Sequence, residues 1–431
     1  LHGGGPASPP AFPERWHAIA VLTPNTDSQI WAAEAWYDWS AGAMRVRLCG
    51  VEEAGLDLLV VGNELFVIKV ADSVVTRAIG PIPTTVAVPP PNWLADRGMA
   101  LEGIGDLHGR SCEWWVGYSP CVNGYEGPPP PTPTPVCNWV WARAGDRMPW
   151  RMFFTNHDNP LGLPILGDFA MVSFTQFEPV AASDLAALVA QARGLATRPP
   201  GLLAASPIEA LLDALRKALP DAPTDPLPGG AGALVKGLGP APTDARPPSW
   251  EPRLYLTGFT LPTARGPTPA ALPMRVFYEW PQLHMLTRLS LSATSITDVS
   301  LQDMVLNGDI TVIFQRDTDG TITCRGTKPV GLPKPDWGAQ DGGKVRAVLV
   351  DNPVFGPGET INLTVMPSMG GRVFWVWYTT TGHGLVFMEV PQFGDVGLVL
   401  TDYAHFGFDP PPFDPALFTV PEKCQPAPTA S

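Results

Sequence analysis

Residues 137–152 read Cys137-Asn-Trp-Val-Trp-Ala-Arg-Ala-Gly-Asp-Arg-Met-Pro-Trp-Arg-Met152, and residues 373–388 read Val373-Phe-Trp-Val-Trp-Tyr-Thr-Thr-Thr-Gly-His-Gly-Leu-Val-Phe-Met388. In both, a Trp-Val-Trp run (Trp139 to Trp141, Trp375 to Trp377) passes through a glycine-containing turn into a second apolar run. Aromatic and β-branched residues suit a pleated surface, and a glycine between two such runs marks a hairpin. The chain carries this hairpin twice.

Working outward, the pattern stays β. Strands are expected at about 15–22, 30–39 and 44–48, the last alternating apolar and charged side chains as Met44-Arg45-Val46-Arg47-Leu48. Period two means one buried and one wet face. A fourth strand, about 57–70, breaks at Gly62-Asn63, a tight-turn signal. The second half repeats these blocks in order. Phe277-Tyr278-Glu279-Trp280 echoes Trp36-Tyr37-Asp38-Trp39, and Met285–Leu289 echoes Met44–Leu48 at the same offset of 241. Gly308-Asp309 echoes Gly62-Asn63, and Phe408-Asp409-Pro410 echoes Phe177-Glu178-Pro179. Five blocks in one order predict an internal duplication. The expected fold is mainly β: two tandem curved antiparallel sheets, or half-barrels, each with a few helices, joined by a helical and Pro-rich linker.

The expected divisions are a tail over 1–14, a first β domain over 15–180, a helical and Pro/Gly/Ala-rich segment over 181–249, a second β domain over 250–424, and a tail over 425–431. A helix is expected over Ser183–Arg193. A second starts at Ser206, and its residues Ile208, Leu211, Leu212, Leu215 and Leu219 form one apolar face. The stretch Pro220–Pro248 reads as a flexible linker.

Composition sets limits. The 431 residues suit two domains, and 45% hydrophobic content is ample for folding. A net charge of −13 disfavours nucleic acid and anionic membranes as partners. No apolar run reaches the ~18 residues of a membrane-spanning helix. The six cysteines, Cys49, Cys112, Cys121, Cys137, Cys324 and Cys424, lack the close pairing of a zinc site and fit three disulfides. Together with Leu1 in place of Met, the Pro-rich run 128–135 and the glycosylation sequon at Asn362, they point to a secreted or extracellular protein whose signal peptide has been removed.

The order of these blocks resembles that of the ependymin-related secreted proteins, which share a curved-sheet fold with lipoprotein carriers of the LolA type. The aromatic-Tyr-acidic-Trp strands, the Trp-x-Trp hairpins, the Phe-x-Pro endings and the closing Leu417-Phe-Thr-Val-Pro-Glu-Lys-Cys424 carry the resemblance across about 15–180 and 250–424. It implies an eleven-strand-like half-barrel with helices against its concave face and a hydrophobic pocket that binds lipid or another apolar ligand. It brings no catalytic residues. The closing Pro-x-x-Cys occurs in the second copy alone, which implies a different disulfide pattern in the first.

No catalytic constellation stands out. None of the seven histidines forms an i, i+4 pair, Asn156–Asn159 reads as a loop, and Asp317-Thr-Asp-Gly320 reads as a hairpin turn rather than a calcium loop. Asp38 and Glu279 occupy equivalent positions, with Arg45, Arg47 and Arg288 as expected partners. No cofactor, no metal and no enzymatic activity are expected. The ligand-facing residues are taken to be Trp114, Trp115, Trp139, Trp141, Trp375 and Trp377, since tryptophan offers a large rigid apolar surface. The functional expectation is a secreted tandem binding protein for a hydrophobic, lipid-like ligand. A structural or adhesive extracellular-matrix protein, with protein partners or self-assembly, stands beside it.

Overall fold

The computed structural model describes residues 8–24, 30–51, 55–69, 73–81, 88–96, 98–107, 110–120, 135–154, 170–182, 185–195, 230–247, 249–262, 272–290, 300–307, 310–317, 319–328, 332–340, 343–351, 360–367, 373–379, 384–390, 399–408 and 412–425. The predicted helix from Ser206, the run 128–134, the 155–159 loop and Cys121 lie outside them. The chain divides into two units. Unit 1 comprises Leu1–Pro242 and Arg346–Glu359, and unit 2 comprises Thr243–Val345 and Thr360–Ser431.

Unit 1 begins with six strands: β1 (Arg15–Pro24), β2 (Trp31–Asp38), β3 (Ala43–Gly50), β4 (Gly55–Val61), β5 (Glu64–Lys69) and β6 (Val74–Pro81). A short helix α1 (Trp93–Asp96) leads to β7 (Ala100–Leu107), β8 (Arg110–Pro120), β9 (Pro135–Arg143), β10 (Pro149–Phe154) and β11 (Ala170–Pro179). These form one eleven-stranded antiparallel sheet in the order β6-β5-β4-β3-β2-β1-β11-β10-β9-β8-β7. Two meanders meet at its middle, where β1 lies against β11 with Trp16 opposite Pro179. The predicted break at Gly62 is the β4–β5 turn, with Gly62 at φ 59°.

Register makes the faces explicit. Ala18, Ala35, Val46, Leu58 and Val67 lie opposite one another in turn across β1 to β5. All five are buried in one apolar cluster. The next row over carries Glu34, Arg47 and Asp57 on the other face. That second face takes α2 (Leu185–Gly194), close to the predicted helix, which packs Leu185, Leu188, Val189 and Ala192 on Leu59, Phe66, Ile68 and Val75. Gln191 accepts a hydrogen bond from the Val75 amide at 2.9 Å.

The expected flexible linker holds packed structure. Within it lie α3 (Gly230–Leu234) and β12 (Leu238–Pro240), with Ala231, Val235 and Leu238 buried. Buried apolar side chains recover the entropy that composition alone assigns to a loose linker. β12 pairs with Ala347–Leu349, the part of β19 (Lys344–Val350) that belongs to this unit. Gly237 sits at φ 85°, and a Cβ there would lie 1.8 Å from the Val350 carbonyl oxygen, so only glycine fits.

Unit 2 contains β13 (Arg253–Pro262), β14 (Leu272–Glu279), β15 (His284–Ser290), β16 (Ser300–Asn307), β17 (Ile310–Arg316) and β18 (Ile322–Lys328). After a short helix α4 (Trp337–Gln340) come β20 (Thr360–Pro367), β21 (Val373–Thr379), β22 (Gly384–Val390) and β23 (Val399–Phe408). Their order is β20-β21-β22-β23-β13-β14-β15-β16-β17-β18, the sequence of neighbours seen from β8 to β6 in unit 1. Both Trp-Val-Trp hairpins pair as expected, β9 with β10 and β21 with β22. Between β17 and β18 the Asp317 amide donates to the Thr321 carbonyl at 2.9 Å and the Gly320 amide to the Asp317 carbonyl at 3.0 Å, as a hairpin turn requires.

On unit 2's sheet the place of α2 is taken by the C-terminal segment. Phe418 and Cys424 are buried with Leu286, Val305, Val312 and Phe314, and a Cys324–Cys424 disulfide fixes the segment to β18. Among the described residues no helix is long and apolar enough to cross a membrane.

Candidate functional site

The apolar face of unit 1 has a distinct aromatic floor. Trp16 on β1 stacks on Tyr37 of β2, centroids 5.1 Å apart and planes 10° apart. Phe177 of β11 meets Trp16 at 5.1 Å and Phe174 at 5.4 Å. Phe174 and Phe177 are three residues apart, and the register shift that steps from Gln176 opposite Ile19 to Phe174 opposite Ala20 brings both rings to the same face.

That face is covered by two stretches outside the sheet, the N-terminal segment around Phe12 and the β6–β7 connection carrying α1. Phe12 packs on Trp93 at 5.7 Å and on Phe177 at 5.8 Å. Val88, Trp93, Leu94 and Met99 complete the closure. Polar contacts fasten it at several points. Tyr37 donates its hydroxyl to the Pro89 carbonyl at 2.6 Å, the Phe12 amide donates to Pro91 at 2.8 Å, and Arg147 reaches the Ser8 carbonyl at 2.7 Å. Burial pushes the Tyr37 phenol well above its ordinary pKa, so it remains a donor.

Unit 2 repeats the latch. Tyr278 donates to the Pro333 carbonyl at 2.8 Å and the Trp250 amide donates to Pro335 at 2.7 Å, with Trp250 edge-on to Tyr278 at 5.0 Å. The signal was present in the sequence as Pro89-Pro-Pro-Asn-Trp93 and Pro333-Lys-Pro-Asp-Trp337, a sixth repeated block that the aromatic hairpins overshadowed.

One polar group beneath the unit 1 cover is unsatisfied. The indole nitrogen of Trp16 is buried and has no hydrogen-bond partner among the described residues. An unmet buried donor costs about 1–3 kcal/mol, so a group supplying an acceptor there would be favoured. The equivalent position in unit 2 is Leu254, which has no side-chain donor.

The six tryptophans expected to line a site do not form one wall. Trp115 is 0% exposed and belongs to the covered apolar face, where its indole donates to Glu113 at 2.9 Å and the Arg147 guanidinium lies 5.4 Å above its ring. Trp141 is buried at 1% on the opposite face, because its neighbours Val140 and Ala142 belong to the covered one. Trp114 lies opposite Trp141 and Trp139 opposite Val116 across β8–β9. Trp375 and Trp377 lie opposite Val365 and Leu363 across β20–β21. The side chains of these four are outside the described set. Alternation, which marked the hairpins as strands, sends consecutive residues to opposite faces, so a run such as Trp114-Trp115 cannot line one wall.

Other expected residues fall as follows. Cys324 and Cys424 form a disulfide with Cα atoms 5.3 Å apart. Cys49 and Cys112 are buried, and Cys137 lies in β9. Asn362 is 6% exposed in β20, whereas a glycan requires its amide nitrogen in solvent.

The opposite face of unit 1 carries a charged row that the sequence reading assigned differently. Asp38 pairs with Arg15 at 3.1 Å, not with Arg45 or Arg47. Arg45 Nε donates to Asp57 Oδ1 at 2.9 Å, and Arg47 joins Asp57 at 3.4 Å and Glu34 at 3.2 Å. His17 continues the row, with Nε2 3.0 Å from Glu34 and Nδ1 3.5 Å from Glu178. The two guanidinium groups lie 5.0 and 5.3 Å from the Trp36 ring centroid. The Glu34 hydrogen bond, opposed by burial and reinforced by Glu178, raises the His17 pKa above its ordinary value. Each of these charges has an internal partner, and the row ties β1 to β2, β3, β4 and β11.

No family model matches the chain, and no curated protein matches it in sequence. Solved structures give distant likenesses. The lipoprotein LppX of Mycobacterium tuberculosis is 16% identical over 40% of this chain and 90% of its own, with a TM-score of 0.25. The MucA/MucB complex of Pseudomonas aeruginosa is 13% identical over 74% of this chain and 94% of that one, at 0.23. A LolA superfamily protein from Nitrosomonas europaea is 10% identical over 41% and 90%, at 0.19. At these scores none carries an argument, and the functional reading rests on the sheets themselves.

Proposed function

We propose that this chain is a non-enzymatic, secreted binding protein for an apolar, lipid-like molecule that carries a hydrogen-bond acceptor. The observation that carries the proposal is the buried, unpartnered Trp16 indole N–H on an aromatic floor under a short latched cover. An ester or acyl carbonyl would satisfy that donor, while its hydrocarbon replaces Phe12 and Trp93 on the floor. Lifting the cover breaks the Tyr37–Pro89 and Phe12–Pro91 bonds while the pairing of the strands beneath is left in place.

The reading includes two tandem copies over about 15–180 and 250–424 and the resemblance to ependymin-related secreted proteins. The matching strand order and the repeated tyrosine latch support the duplication. A second reading, a structural or adhesive extracellular protein, is favoured by the complete burial of Trp115 and Trp141, which leaves neither ring bare.

Native mass spectrometry of gently purified protein, followed by organic extraction, tests both. An apolar adduct is expected, and Trp16→Phe should lose it or bind it about five- to tenfold more weakly, the worth of one hydrogen bond. A clean apo mass with higher oligomers would replace the carrier reading with the structural one.

A further inference from the structure

Among the described residues of unit 2, the exposed large apolar side chains are Leu283, at 45%, and Ile310, at 40%. Both lie at one end of the sheet. Leu283 closes the β14–β15 hairpin and Ile310 opens β17. His284 lies opposite Asn307, and Asn307 opposite Ile310. Two strand spacings place the pair about 10 Å apart. The hairpin turn is Trp280-Pro281-Gln282-Leu283, with Pro281 and Gln282 exposed and Trp280 half-buried.

Leu283 is held at φ 54°, ψ 40°, the left-handed region. Its amide donates to the Trp280 carbonyl at 2.9 Å. Unit 1 makes the same turn with the Gly42 amide on the Trp39 carbonyl at 2.9 Å and Gly42 at φ 60°. Glycine takes this conformation freely and a leucine does not. At the position equivalent to Ile310, unit 1 has Glu64. Unit 2 therefore carries a strained leucine and an isoleucine where unit 1 has glycine and glutamate, and both are exposed to water.

We infer that this end of unit 2's sheet inserts into a neutral lipid surface. Leu283 and Ile310, with Pro281 and Gln282 beside them, offer an area well short of the ~800 Å² per partner of a stable protein interface. A lipid surface needs only a few inserted side chains, and a tryptophan beside them suits the interfacial layer. With a net charge of −13 and no cluster of Lys or Arg in Trp280–His284, attraction to anionic headgroups is not the drive. The inference is independent of the ligand reading, since neither side chain belongs to the covered face.

Flotation of the full chain with neutral phosphatidylcholine vesicles tests it. The wild type should float with the vesicles. Leu283→Gly should bind about tenfold more weakly, and Leu283→Gly with Ile310→Thr about a hundredfold, each side chain contributing its own burial. Leu283→Asn, whose residue type also tolerates the left-handed turn, should match Leu283→Gly. The Leu283→Gly melting temperature should be at or above that of the wild type, and its native mass should keep any adduct. A wild type that ignores vesicles, or a Leu283→Gly that floats as well as the wild type, would overturn the inference. So would Leu283-dependent self-association without vesicle binding.

Discussion

Asp57 holds the charged row of unit 1 together, because its side chain is fully buried between Arg45 and Arg47. Asp57→Asn keeps the shape but takes the carboxylate from the partly buried Arg45 and leaves Arg47 its ion pair with Glu34. A loss of about 3–5 kcal/mol in urea unfolding is expected, the usual cost of breaking a buried pair from one side. His17 gives the row a pH dependence. Its folded pKa lies above the unfolded value of about 6.5, so its stabilisation is complete below that value and is lost as pH rises through the folded pKa. The gap in urea midpoint between wild type and His17→Gln should therefore shrink from pH 6 towards pH 9. A gap that widened with pH would contradict the assignment of Glu34 and Glu178 as its partners. At this scale the sequence was legible in part. Met44–Leu48 showed which residues were wet, yet pairing depends on the neighbouring strand, so Asp57 was missed and Asp38 was matched to the wrong arginines.

Among the elements, the hairpins were the most legible, since period two and a glycine turn act locally. The covers were not. The β6–β7 connection has no periodicity, and its significance appears only when Tyr37 reaches Pro89. The C-terminal segment was legible for a different reason: its closing cysteine occurs in one copy. The Cys324–Cys424 bridge closes a loop with a sequence separation of 100. Replacing both cysteines by serine should cost about 2–5 kcal/mol, because the unfolded chain regains the freedom of that loop. Chemical unfolding under non-reducing conditions would measure it. The Leu417–Val420 stretch should also become accessible to limited proteolysis in the variant, since buried Phe418 and Cys424 then hold it by packing alone.

Across the whole molecule, the sequence carried the mainly β fold class but not the order of strands. A recurring run of motifs says nothing of how a sheet is built from them. That β1 neighbours β11 depends on contacts between residues far apart in the chain, for which neither alternation nor turn chemistry leaves a local trace. The aromatic floor was hidden for the same reason, because Trp16, Tyr37 and Phe177 come from β1, β2 and β11 and meet only once that seam is closed.

The seam also has a consequence for synthesis. β1 leaves the ribosome well before β11, and one of its two edges lacks its native neighbour until Ala170–Pro179 emerges. At translation rates of about 5–20 residues per second, that delay is on the order of ten seconds. Throughout it, the nascent chain displays an apolar strand with open backbone donors and acceptors, the kind of edge that pairs with strangers. A sheet closed by two strands so far apart in the chain thus exposes an unpaired β1 edge during translation, when a holdase that covered it would guard against aggregation.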